Sequence, residues 1–177
     1  MKKAKLTAFC GMMVALSVVL MAFVTVLPVL MYVLPVVTGI IVLLVADVGS
    51  KKWATGVFFA TSVLSLILLT DKESVLTYIL FFGYYPLIRE DLSKLPKVLF
   101  VILKFLLFNC AAVLTGFAGV LLFGVPKEEY EEFGRLTIPL LLGLANVMFL
   151  LYDGILVKYK ILFSALSYKL KKLLKGL

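Results

Sequence analysis

Histidine is absent from this chain of 177 residues, which holds only two cysteines and one tryptophan. Without an imidazole there is no histidine base or proton shuttle, and Cys10 and Cys110 alone make no ordinary zinc or haem ligand set. Charge is also scarce, at 16% of residues against about 25% in soluble domains. Acids are fewest, 10 against 18 Lys and Arg, and no group of them has the spacing of a metal-holding cluster. Asp153 is the single acid well inside an apolar run, so paired intramembrane aspartates are missing, as is a Ser–His couple. No glycine-rich loop ends in Lys-Ser or Lys-Thr, which excludes a nucleotide-cradling motif. The expectation is a protein without catalytic residues, metal or cofactor, and not an enzyme.

Apolar surface is what the chain has in excess. Hydrophobic residues make up 63%, and the mean hydropathy is +1.15. A soluble domain of about 150 residues leaves roughly 30% of its unfolded surface in water, and here too few polar side chains exist to coat that share. Hydrocarbon is the solvent this composition demands. The apolar stretches are continuous and not alternating, which argues against a strand-built barrel. An all-α, polytopic membrane protein follows.

A helix that crosses a bilayer needs about 20 mostly apolar residues. Six segments fit or come close: Leu6–Leu27, Leu30–Val48, Trp53–Leu69, Ser74–Ile88, Val98–Phe123 and Leu136–Val157. Pro28 closes the first, and Pro35 falls in the opening turns of the second, where a missing N–H costs little. The fourth is short and ends in Gly83-Tyr84-Tyr85-Pro86. Short connections favour antiparallel neighbours in one six-helix bundle, a single domain over residues 1–177. The first run is too long for a signal-peptide core and lacks a small-residue cleavage site. Phe9 stands where lipid attachment at Cys10 would need a small residue. The run is therefore expected to stay in the mature protein.

Six crossings put both termini on one side, and Lys and Arg choose which. With the termini in the cytoplasm, only Lys72, Lys127 and Arg135 fall outside and Lys104 lies within a span; every other basic residue is inside. Cytoplasmic loops of membrane proteins carry that bias. The net charge of +8 then reflects topology and contact with anionic lipid rather than nucleic acid. The outer connections hold Asp71, Glu73 and the acidic stretch Glu128–Glu132. Residues 158–177 form a basic amphipathic cytoplasmic tail in which Leu162, Leu166, Leu170, Leu173 and Leu177 recur at helical spacing, suited to a membrane surface or to a cytoplasmic partner.

Polar side chains inside a membrane are costly, so their positions carry information. Spans five and six run antiparallel, and residues at equal depth then have a nearly constant numerical sum. Asn109 meets Asn146 under that rule, and Lys104 meets Asp153. An Asn pair can exchange amide hydrogen bonds, and a Lys–Asp pair neutralises two expensive charges. Both pairs can be interhelical glue or polar contacts at the floor of a binding pocket. Lys104 can alternatively snorkel to the inner interface. Thr7, Gly11 and Ala15 form a stripe of small residues on the first span, which permits close approach of another helix, within the bundle or beyond it.

The basic start leading into LTAFCGMMVALSVVL, with six short-looped helices and both termini inside, resembles the substrate-binding S component of energy-coupling factor (ECF) transporters. That family carries an A-x-x-x-A motif on its first helix; Gly11 and Ala15 stand at the matching spacing, with Gly in place of the first Ala. The resemblance implies a subunit that binds a vitamin or micronutrient from outside and docks on a coupling transmembrane subunit with two ATPases. It implies Thr7, Gly11 and Ala15 as the docking face. Tyr32, Asp71 and Glu128–Glu132 would lie in the connections over the ligand, with Asn109 and Asn146 beneath it. No residue signature selects one vitamin.

Two other functions fit the same plan. A six-helix scaffold of the cell envelope needs no ligand, and it is distinguished from a capture subunit by the lack of a ligand-sized cavity of about 300 Å³ or more. An autonomous carrier would favour inverted repeats and broken mid-membrane helices, yet Pro35 is the only proline well within a span, and no repeat pairs with it.

Overall fold

The computed structural model describes residues 3–123 and 137–175, and these are mostly helical, with no strand among them. Seven α-helices follow one another: α1 Lys3–Ala22, α2 Val33–Val48, α3 Lys51–Leu68, α4 Lys72–Thr77, α5 Tyr85–Leu92, α6 Lys97–Phe123 and α7 Thr137–Lys175. Tight 3₁₀ turns, Phe23–Thr25 and Pro28–Leu30, lead from α1 to α2, the second opening on Pro28. Three helical stretches are long and apolar enough to cross a membrane: Lys3–Thr25, Lys97–Gly119 and Pro139–Tyr159; Val33–Val48 is apolar but shorter. The acidic stretch Glu128–Glu132, with Lys127, Arg135 and Leu177, lies outside the described residues.

The central element is α2. It is apolar almost all round and buries Leu34, Val36, Ile41, Val42, Leu44, Val45 and Val48, as a helix packed on every side should. Pro35 is accommodated in its first turn, and the Thr38 hydroxyl lies against the Leu34 and Pro35 carbonyls at 3.1 and 2.8 Å. On one side α2 packs with α1 and α3; on the other it meets α5 and α7. Gly39 marks the tightest crossing. A Cβ there would overlap the Phe82 carbonyl oxygen, and it would lie 2.7 Å from the Tyr152 hydroxyl.

The stretch expected as a fourth span is composite. α4 continues into a π-helical turn, Tyr78–Phe82, and α5 starts two residues later with Pro86 in its first turn. An i→i+5 turn inserts one residue into the helical phase. Tyr78 therefore packs with the α1–α3 core, while Phe81, Phe82 and Tyr85 belong to a second core with Phe108, Phe149 and Tyr152. One length of chain thus serves two cores.

The last predicted span and the predicted tail form one helix, α7, with no break near Val157. Its 39 residues would extend about 58 Å at 1.5 Å per residue, about twice a hydrocarbon layer of roughly 30 Å. In the tail, Tyr159 and Ser167 are buried, whereas Leu162, Leu166 and Leu173 are exposed. Leu170 packs on the first core, and Lys171 Nζ lies 2.8 Å from Asp47 Oδ1. The leucine stripe read from the sequence thus faces mostly outward. The outer surfaces of α6 and α7 add Leu106, Val113, Phe117, Leu144, Val147 and Leu151, all exposed.

Candidate functional site

A cavity of about 430 Å³ opens at the end of the bundle away from the lysine-rich loops. Tyr32, just before α2, and Glu73 and Thr77 of α4 form one wall. Phe81 and Phe82 come from the π turn, Phe108, Ala111, Ala112, Thr115 and Gly116 from α6, and Leu141, Leu142, Leu144, Ala145 and Met148 from α7. The space arises from the sequence of the facing helices. Ala111, Ala112, Gly116 and Ala145 are small where α6 and α7 turn toward each other, so the helices meet without filling the gap.

The polar groups of the wall have a common sense. Tyr32 Oη donates to Glu73 Oε1 at 3.0 Å. Thr77 Oγ1 donates to the Glu73 carbonyl at 2.8 Å and Thr115 Oγ1 to the Ala111 carbonyl at 2.9 Å. With these protons committed, the Thr77 and Thr115 hydroxyl oxygens offer lone pairs. The remaining wall is aromatic and aliphatic, as ligand pockets usually are.

Below the cavity lies a floor of rings. Phe81 stacks on Tyr85 at 4.5 Å, and Phe108 stacks on Phe149 at 4.7 Å with planes 11° apart. Phe82 meets Tyr152 edge-on, and the Tyr152 hydroxyl donates to the Phe82 carbonyl at 3.0 Å. That bond takes up a carbonyl at the π turn, where the regular helical ladder is interrupted.

Under the rings is a buried charge cluster centred on Asp153. Its Oδ2 accepts from Lys104 Nζ at 2.9 Å; its Oδ1 accepts from Arg89 Nε at 2.5 Å and Tyr85 Oη at 2.8 Å. Lys104 and Asp153 thus touch as the depth rule expects. Arg89 and Tyr85 were not anticipated, since Arg89 was placed with the inner loops. Their i, i+4 spacing in a helix begun by Pro86 was the available signal, because such residues share a face.

The Asn pair is closed on itself. Asn109 Nδ2 donates to Asn146 Oδ1 at 3.1 Å, and Asn146 Nδ2 returns the bond at 2.9 Å. Each amide also donates to its own helix, to the Phe105 and Leu142 carbonyls. All four N–H bonds are used, and neither residue lines the cavity. Of the expected ligand-side residues Tyr32 does line it, and Asp71 does not; Asp71 precedes α4 and is partly exposed. Glu73, Thr77 and Thr115 were missed as wall residues. Glu73 was legible only as one acid among several in an outer connection.

Thr7, Gly11 and Ala15 all lie on the exposed face of α1, and nothing stands within 4 Å of a Cβ built on Gly11. Thr7 Oγ1 donates to the Lys3 carbonyl at 3.0 Å, so this face presents no free hydroxyl proton. Among the described residues no group of histidine, cysteine and acids could hold a metal ion. No protein-family model, curated protein or solved structure matches the chain.

Proposed function

We propose that this protein is a multi-pass inner-membrane subunit that captures a small nutrient from outside and passes it to an ATP-driven coupling module, in the manner of ECF S components. The single observation that carries this reading is the cavity of about 430 Å³. A scaffold of the same plan has no use for such a space. The wall favours a ligand with an apolar body and hydrogen-bond-donating groups toward Thr77 and Thr115, a description that suits vitamin-sized molecules.

Six crossings with cytoplasmic termini remain part of the proposal. α1, α6 and the first two-thirds of α7 have the length for it. α2 and α3, at 16 and 18 residues, extend about 24 and 27 Å and would cross with their flanking turns. Ser74–Ile88 would make the remaining crossing through its π turn. The exposed face of α1 around Gly11 is then the docking surface for the coupling transmembrane subunit, which carries two ATPases.

Purification of the complete chain from its native membrane, followed by mass spectrometry of retained small molecules and of co-purifying proteins, tests both halves of the proposal. The expected result is one low-mass compound at about unit stoichiometry together with an ATPase-bearing module. Ala112→Trp, which fills the cavity, should remove the compound and leave the module. Gly11→Leu should do the reverse. An empty cavity in native membranes and no ATPase partner would favour the scaffold.

A further inference from the structure

The Asp153 cluster is not electrically balanced. One carboxylate faces two permanent cations, Arg89 and Lys104, and the Tyr85 hydroxyl. These bring about nine N–H and O–H donors to about four carboxylate lone-pair sites. Aromatic faces take up part of the surplus: the Phe100 ring centre lies 5.8 Å from Arg89 Cζ and 5.3 Å from Lys104 Nζ. A ring quadrupole attracts a cation without neutralising it. The nearby acids of α5 do not close the balance. Asp91 is held by Lys51 at 2.8 Å and Lys94 at 2.6 Å, and Glu90 is exposed and follows Arg89 by one residue, hence on another face of the helix.

Arg89 is the open side of the cluster, its side chain 18% exposed against 11% for Lys104 and 9% for Asp153. Lys104 Nζ stands behind it, also 5.7 and 5.8 Å from the Phe105 and Phe149 ring centres. Lys97 at the start of α6 and Lys158 on α7 are exposed, and the depth rule that aligns Lys104 with Asp153 puts them within about a turn of one another. Beside them on α6 runs an exposed apolar strip of Val98, Val101 and Ile102. An acceptor that fits both features carries one negative charge, several oxygens and a hydrocarbon body.

We infer that the junction of α5, α6 and α7 binds an acidic phospholipid, its phosphate held by Arg89 and Lys104 and its acyl chain laid along Val98, Val101 and Ile102. Arg89 supplies a planar fork suited to phosphate oxygens, and Lys104 a point charge. Basic pockets between helices at the cytoplasmic face recognise such headgroups in this way. The site rests on the membrane-crossing part of the proposed function and is independent of nutrient capture.

The complete chain, reconstituted in nanodiscs of phosphatidylcholine with or without phosphatidylglycerol, is released in the mass spectrometer and its retained lipids are counted. The one surplus charge of the cluster should favour phosphatidylglycerol by about fivefold over the background set by the other exposed lysines. Lys104→Met leaves a balanced Arg89–Asp153 pair, so the preference should fall about fivefold, to that background. Asp153→Asn raises the surplus to two charges, so the preference should rise about fivefold above the wild type. Both variants loosen the same cluster, so opposite shifts in lipid preference cannot come from weakened packing. Equal retention of the two lipids by the wild type would overturn the site whether or not the variants fold, as would shifts of both variants in one direction. Displacement of phosphatidylglycerol by inorganic phosphate at millimolar concentration would show a soluble-anion site and overturn the lipid assignment. Failure of the wild type to enter either nanodisc would instead refute the membrane-crossing reading itself.

Discussion

The two cores of this molecule bury polar groups differently. In the α1–α3 core Ser62 donates to the Phe58 carbonyl and Ser65 to Met21 Sδ, but other hydroxyls stand alone. Ser17 Oγ, Thr61 Oγ1 and Tyr78 Oη are buried without a hydrogen-bond partner, although Thr61 and Tyr78 lie close to each other. In the α5–α7 core every polar group discussed is paired, Asn109 with Asn146 and Asp153 with three donors. A lone small hydroxyl is tolerable in a tightly packed aliphatic region. A carboxylate or an amide is not. The paired core also borders the cavity, so the polar expense gathers where the bundle must stay open.

That contrast can be broken experimentally, and the largest effect should come from Asp153→Ala. It leaves Arg89 and Lys104 facing each other without a counter-ion, at a cost of about 3–5 kcal/mol, read as a lowered Tm in detergent micelles. An unchanged Tm would show that the charges are solvated. Asn109→Leu comes next, at about 1–2 kcal/mol, because it strands the Asn146 amide. Asn109→Leu with Asn146→Leu should cost less than the sum of the single changes; strict additivity would mean that the two amides do not interact. Ser17→Ala should change stability by less than about 0.5 kcal/mol, since the lost hydroxyl had no partner to leave behind. A larger loss would reveal a bond in the aliphatic core and erase the distinction.

The smallest effect concerns an exposed cluster that belongs to neither core. Hydrogen bonds from Lys51 and then Lys94, reinforced by their charge, hold the Asp91 carboxyl at about 2, below its ordinary 3.8. The folded-state value is depressed, so the contribution is fully present above about pH 4 and is lost as the pH falls toward 2. Because the group is exposed, the slope should be shallow and should fade in concentrated salt. Asp91→Asn should abolish it, which acid titration of Tm checks directly.

Much of this architecture was legible in the sequence. The apolar runs located α1, α2, α3 and α6 to within a few residues at most ends, because continuous hydrophobic stretches bounded by lysine or proline leave little choice. The constant-sum rule brought Lys104 to Asp153 and Asn109 to Asn146, since antiparallel helices of equal rise preserve it. The π turn was not legible. It is held by Gly39 and Tyr152, which reach the Phe82 carbonyl from distant parts of the sequence. Arg89 was assigned to a loop because charge alone was weighed, not the face it shares with Tyr85. The continuity of α7 was hidden by a change of polarity at Lys158 that looked like a boundary. Helix propensity does not change there, since Lys and Leu are both good helix formers.

The unbroken course of α7 gives the bundle a stiff tiller. Leu141 stands at the cavity wall and Lys171 against Asp47, ends of one rod separated by roughly 45 Å at helical rise. Over such an arm a swing of about 5° at one tip displaces the other by about 4 Å. A ligand seated against Leu141, as the proposed function has it, would therefore share one rigid rod with the Lys171–Asp47 contact at the other end.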